Sequence, residues 1–251
     1  MNSISDILHQ RKTIRKYSAK KLNDNLLYDL LKKGCRASTT GNMQIYSVII
    51  TRDADMKKDL LPLHFNQEMV IKAPVLLTFC ADFNRFNRWC RLNNAEPGYD
   101  NFLSFFTAAT DALLVAQTVC IAAESEGLGI CYLGTTTYMA DKIIEVLELP
   151  PGVVPVTAVT LGWPDEDPEQ PDRLPLDAII HSEVYRDYSE KDIEAFYREK
   201  EGRKDSRTFI EENNKSTLAQ VFTDVRYKKD DNVYFSKVLI KVLQDQGFMN
   251  Q

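Results

Sequence analysis

Arginine and lysine beside small hydroxyl side chains are the residue types that hold a phosphate, because cationic donors form charge-assisted hydrogen bonds to its oxygens. Three stretches of this chain have that composition: Arg11-Lys12-Thr13-Ile14-Arg15, Ser38-Thr39-Thr40-Gly41-Asn42-Met43-Gln44, and Asp172-Arg173-Leu174-Pro175. In the first, Arg11 and Arg15 are four apart, a spacing that puts both on one face of a turn, and Thr13 adds a hydroxyl donor. In the second, Gly41 permits a tight turn that exposes short polar side chains and backbone amides. Taken singly, these are equally a solvated basic turn, a polar loop and a surface arginine. Taken together, they are what holding a phosphate-bearing cofactor requires.

Other chemistries find little support. The chain has no G-x-S-x-G elbow, H-E-x-x-H or P-loop, and His9, His64 and His181 are scattered without ligand spacing. Gly127-Leu128-Gly129 with Gly134 resembles a dinucleotide loop only loosely, since it follows a helical pattern instead of a strand. A helix stop before a strand is the better reading there. Lys+Arg 31 against Asp+Glu 36 gives a formal charge of -5 with no long basic stripe, so nucleic acid is not the expected partner. Cys35, Cys80, Cys90, Cys120 and Cys131 form no C-x-x-C pair and read as packed, reduced thiols of a cytoplasmic protein. The absence of a cysteine cluster also argues against a fused iron–sulfur domain.

The elements that must position these residues show in the periodicity. Asn23 or Asp24 caps a helix carrying Leu26, Leu27, Leu30 and Leu31, with Gly34 as its stop. Residues 45–51, 73–80, 130–133 and 153–161 read as short buried strands, and 53–61 and 141–149 as helices, a mixed α/β alternation. The stretch 102–123 is apolar enough to be a membrane candidate, but Thr107, Thr110, Asp111, Gln117 and Thr118 interrupt it. It reads as the core helix of a soluble protein, buried on nearly every side, and no membrane partner is expected. The opening Met1-Asn2-Ser3-Ile4-Ser5-Asp6 lacks a basic start and apolar run, so export is not expected. Pro164, Pro168, Pro171 and Pro175 punctuate an acidic surface loop, and from Ser189 the chain is helical, charged and thin in apolar residues. A segment of that kind is expected to pack on something else, with a sister subunit as candidate.

In order and spacing, R-x-T-I-R-x-Y at Arg11 to Tyr17, S-T-T-G-N-M-Q at Ser38 to Gln44, C-A-D-F-N-R at Cys80 to Arg85, A-A-E-S-E-G-L-G at Ala122 to Gly129 and L-G-W-P…R-L-P from Leu161 to Pro175 resemble the FMN-dependent nitroreductase family. The resemblance covers nearly the whole chain and points to the oxygen-insensitive NADPH nitroreductase and flavin reductase branch. It implies an α+β three-layer sandwich with a mostly antiparallel central sheet, a core over 1–188 and a helical C-terminal extension over 189–251. It also implies a homodimer with FMN at the subunit interface, reduced by NADPH or NADH and re-oxidised by a small-molecule acceptor in a ping-pong cycle.

By position, the resemblance assigns Arg11, Lys12, Thr13 and Arg15 to the flavin phosphate, ribityl chain or pyrimidine edge, and Arg173 to the phosphate. Ser38, Thr39, Thr40, Asn42 and Gln44 match a flavin loop that serves the partner's site. Gln67 matches a residue near the pyrimidine ring, and Leu133, Gly134 and Thr135 match a backbone segment over the isoalloxazine. Arg203, Lys204 and Arg207 fall where this branch meets the NADPH 2′-phosphate. Pro171 stands where the family often has lysine, and Gly134-Thr135-Thr136-Thr137-Tyr138 where it often has G-G-x-R-N. Alternatives are a flavin-dependent dehydrogenase or dehalogenase of the same superfamily, or a non-catalytic flavin-binding or helical interaction protein. No catalytic acid, base or nucleophile is expected, since a bound flavin carries the chemistry.

Overall fold

The computed structural model describes residues 4–250; Met1, Asn2 and Ser3 of the N-terminal opening, and Gln251, lie outside them. Four strands appear: β1 Tyr46–Thr51, β2 Val75–Asp82, β3 Gly129–Leu133 and β4 Val153–Gly162. The helices are α1 Ile4–Gln10, α2 Asp24–Gly34, α3 Ala54–Leu60, α4 Met69–Lys72, α5 Asn84–Leu92, α6 Phe102–Ser125, α7 Ala140–Val146, α8 Glu190–Gly202, α9 Lys204–Glu212, α10 Leu218–Val221 and α11 Lys229–Asp245.

The strands form one sheet in the order β1-β2-β4-β3, and every pairing is antiparallel. The alternation of helices and strands therefore does not make a parallel α/β sheet. Thr51 at the end of β1 faces Leu76 near the start of β2. The helical connection thus leaves and re-enters the sheet at the same end, which gives antiparallel neighbours without a crossover.

Alternation along β2 supplies both faces of the sheet. Val75, Leu77 and Phe79 pack with Leu27 and Leu30 of α2 and Val115 and Val119 of α6. Leu76 on the opposite face packs with Leu60, Val70 and Ile143, carried by α3, α4 and α7. All eight residues of β2 are buried, as a central strand covered on both sides must be. The result is the expected α+β sandwich of a sheet between two helical layers.

Helix ends follow their local chemistry. Asn23 accepts from the Leu26 amide at 2.8 Å, and Asn101 caps α6 through the Ser104 amide at 3.0 Å. Gly127, at φ 77°, closes α6 in a Schellman motif: Leu128 N donates to Ala123 O and Gly127 N to Glu124 O, both at 3.1 Å. Gly34 acts differently from the expected stop. It is the last residue of α2, and a Cβ there would lie 2.1 Å from Val119 Cγ2, so it exists to let α2 and α6 touch.

Helix α6 also departs from expectation. It alone among the described residues is long and apolar enough to cross a membrane, yet only half of it is buried. Leu103 is 72% and Phe106 60% exposed, and Phe102, Leu113 and Leu114 are exposed beside them. One face belongs to the core, and the other is apolar and uncovered in the single chain.

The chain forms two compact units, residues 1–170 with 235–251, and residues 171–234. This division differs from the expected single boundary at 188, because the chain returns to the first unit within α11. In the second unit, Ser189 and Asp192 form the capping box that starts α8, whose residues are all at least partly exposed. Lys200 pairs with Asp172 at 3.0 Å, and Ile193, Tyr197, Leu218 and Phe222 line an apolar groove.

Candidate functional site

The basic pentad is not a helical turn. Residues 11–16 run without helix after α1, so Arg11 and Arg15 are not brought together by helical spacing. The segment is instead laid against the start of β3: Ile14 N donates to Ile130 O at 3.0 Å, and Tyr17 bridges Pro164. Gly129 makes this possible, since a Cβ there would sit 2.6 Å from the Ile14 side chain. Tyr17 is buried and donates to Ile14 O at 2.8 Å, which fixes the far end of the segment.

Carboxylates meet the pentad's cations. Lys12 pairs with Asp167, and the Arg15 and Lys16 amides donate to Glu166 Oε1 at 2.6 and 3.0 Å. The Arg15 side chain itself is exposed. Arg11 Nε lies 3.6 Å from Glu124 Oε2, with the side chains only 21% and 11% exposed. Neither atom has a hydrogen-bond partner, although both are buried. Burial pushes the Glu124 carboxyl up to about 7 against the opposing pull of Arg11. Arg11, Lys12, Glu124, Glu166 and Asp167 line one cavity of about 200 Å³.

The far end of β3 carries a second group. Leu133 is buried, Gly134 is exposed, and a Cβ at Gly134 would meet nothing within 4 Å. Thr135 is buried, and its hydroxyl lies 2.9 Å from His64 Nδ1. Gln67 Nε2 donates to the His64 carbonyl at 3.0 Å. His64 thereby joins the two residues that the sequence separated, and burial lowers its pKa to about 4, so it is neutral near pH 7. Phe65, Tyr138 and Phe235 stack alongside, with Tyr138 and Phe235 ring centroids 4.6 Å apart. From Ile130 to Gly134 is about 13 Å of strand, so β3 links the cationic and open ends.

The Ser38–Gln44 loop is a distinct anchorage. Thr40 donates to the buried Asp111 carboxylate of α6 from its amide at 3.0 Å and from its hydroxyl at 3.2 Å. Arg85 donates to the Gln44 and Tyr46 carbonyls. Gly41, Asn42 and Gln44 have φ between 55° and 57°, which favours glycine and leaves Asn42 and Gln44 strained. Ser38, Thr40, Asn42 and Gln44 are exposed, and Thr39 is half-buried. Asp111 and Glu124 are thirteen residues apart on α6, so the loop and the pentad meet that helix about 20 Å apart. One chain does not gather them onto a single group.

Arg173, Arg203 and Arg207 belong to the second unit. Arg173 is exposed and donates to the Asp172 carbonyl at 2.7 Å. Arg203 grips Asp205 through Nε at 3.0 Å and Nη2 at 3.4 Å, whereas Arg207 is exposed. Among the described residues no His/Cys/Asp/Glu grouping suits a metal ion. The five cysteines are free thiols, and burial pushes Cys80 and Cys120 up to about 12, which keeps them protonated.

Sequence reasoning missed four residues that the fold makes structural to this site: His64, Asp111, Glu124 and Arg85. Asp111 leaves a trace, a lone carboxylate in an apolar helix, which by sequence reads only as an interruption. His64 left none, because its partners are contributed by other elements.

A sheet flanked by helical layers in this order is the nitroreductase fold. A solved chain from Bacteroides fragilis superposes with a TM-score of 0.96 at 57% identity, covering 98% of this chain and 100% of that one. The chain belongs to the nitroreductase family, whose model matches residues 8–163, and is an oxidoreductase of that family. It is 33% identical to the FMN reductase (NADPH) of Bacillus subtilis over 84% of this chain and 89% of that protein. The NfrA1 nitroreductase of Bacillus subtilis has a TM-score of 0.87 at 27% identity, covering 99% and 100%.

Proposed function

We propose that this chain is an FMN-dependent NAD(P)H oxidoreductase acting on a small acceptor such as a nitroaromatic, quinone or flavin. The observation that carries it is the arrangement along β3, where Arg11 and Lys12, countered by Glu124 and Asp167, stand at one end and an open backbone glycine at the other, in a chain of this family. When bound, FMN supplies the chemistry, accepting hydride from the nicotinamide and passing reducing equivalents to the acceptor.

The residues present fit such a group. Arg11 Nε is buried without a hydrogen-bond partner, Lys12 and Arg15 are cationic, and Thr13 adds a hydroxyl; these are donor types an anionic cofactor needs, and binding would draw Arg11 and Lys12 from Glu124 and Asp167. Positive charge from Arg11 or Lys12 near the flavin pyrimidine edge favours the reduced, anionic form. Gly134 lets a planar ring approach the backbone, and Gln67 offers an amide to its polar edge. Exposed Arg207 is a candidate contact for the NADPH 2′-phosphate, and Arg203 shares its charge with Asp205.

The reading includes a homodimer. The exposed apolar face of α6 is a surface a second copy would cover, and among the described residues no strand pairs with the outer edge of β1. The anchorage of Ser38–Gln44 about 20 Å along α6 from the pentad supports a role for this loop at the partner's flavin.

The test is direct. The purified protein should be yellow, release FMN rather than FAD on heating, and be bleached anaerobically by NADPH or NADH before any acceptor is added. Arg11→Ala should lose FMN or slow that reduction. A colourless protein that cannot be reconstituted with FMN would rule the reading out.

A further inference from the structure

The turn between His64 and Gln67 is strained, and the His64 ring ties it to the segment after β3. Phe65 and Asn66 both have φ 55°, two successive non-glycine residues in the left-handed region. Such a turn persists only where its surroundings hold it. His64 is 1% exposed, its ring reaches Thr135 Oγ1 at 2.9 Å, and its carbonyl accepts from Gln67 Nε2 at 3.0 Å. Thr135 directly follows Gly134, beside which there is open space.

We propose that His64 is a positioning residue of the flavin site: through its bonds to Thr135 and Gln67 it fixes the separation of the two segments that face the isoalloxazine. The proposal rests on the functional reading above. His64 neither donates nor accepts a proton in turnover; burial keeps its ring neutral at working pH, so the link to Thr135 is one neutral hydrogen bond in either tautomer. The linked segments come from different parts of the fold, residues 62–67 after α3 and residues 134–136 after β3. Without the link, each retains its own backbone bonds but loses its register against the other. This is a site held by the residues behind those that touch the ligand.

A double-mutant cycle tests this, read by the dissociation constant of FMN for apo-protein, the visible spectrum of bound flavin and Tm. Thr135→Val, which keeps shape and removes the hydroxyl, and His64→Leu should each weaken FMN binding by about tenfold and move the flavin bands. The double variant should be no weaker than either single one, because both delete the same link. Thr135→Ser and His64→Asn, each keeping a polar atom at the bonded position, should recover most of the affinity and the wild-type spectrum. Additive losses, Thr135→Ser behaving as Thr135→Val, or Thr135→Val leaving affinity and spectrum unchanged would overturn the proposal alone. A wild-type protein that takes up no FMN overturns the functional reading and this proposal with it.

Discussion

Glu124 shows how much a single residue can cost and still be kept. Its carboxylate is buried, it sits in the last turn of α6 where the helix dipole disfavours negative charge, and Arg11 is its counter-charge among the described residues. Its folded-state pKa, raised to about 7, lies above that of an unfolded carboxyl, so the folded protein binds the extra proton between those values. Stability should therefore fall as pH rises from the ordinary carboxylate range to about 7 and stay level above it. Glu124→Gln should flatten that dependence, with Tm at pH 8 approaching its value at pH 5. A variant that keeps the wild-type slope would assign the pH dependence elsewhere. An anion bound at Arg11 would raise the Glu124 pKa further, so FMN binding near pH 7 should take up a proton, measurable by titration calorimetry in buffers of different ionisation enthalpy.

At the scale of elements, α2 and α6 form the layer that carries both anchorages, and their contact is set by Gly34. Gly34→Ala should destabilise by about 1–3 kcal/mol through overpacking against Val119, outweighing the gain in helix propensity of roughly 1 kcal/mol. Val119→Ala should relieve part of that loss in the double variant; additive losses would show that the two residues do not oppose each other. Asp111→Ala should release Thr40 and loosen the Ser38–Gln44 loop, and proteolysis at that loop should become faster while β2 remains protected from exchange. The strands, the cap at Asn23 and the helix start at Ser189 were legible because each is written in adjacent residues. The pentad's path was not: four-residue spacing suggested a turn, but the amide of Ile14 goes to Ile130, and pairing with a distant strand overrode local preference.

For the whole molecule, the question is what covers α6. Leu103, Phe106, Leu113 and Leu114 form an apolar stripe too large to leave in water without consequence. The protein should elute as a dimer by light scattering, and Leu103→Lys with Phe106→Lys should give monomers with weakened FMN binding. A wild-type monomer that binds FMN fully would refute the shared site. Half-burial of this helix was not readable from composition, because an apolar residue facing solvent in one chain and one facing the core have the same sequence signature.

The sequence by itself determined the four strands, the helices α2, α3, α6 and α7, the family and the residue types at the candidate site, since these rest on local periodicity and on motifs kept in order along the chain. Only the tertiary structure decided which residues meet. It ran the sheet antiparallel, laid the pentad along β3, set the Ser38–Gln44 loop on Asp111, and placed His64 between Gln67 and Thr135. Those are contacts between groups far apart in the chain, fixed by packing on a common sheet, and no spacing rule along one strand or helix can encode them.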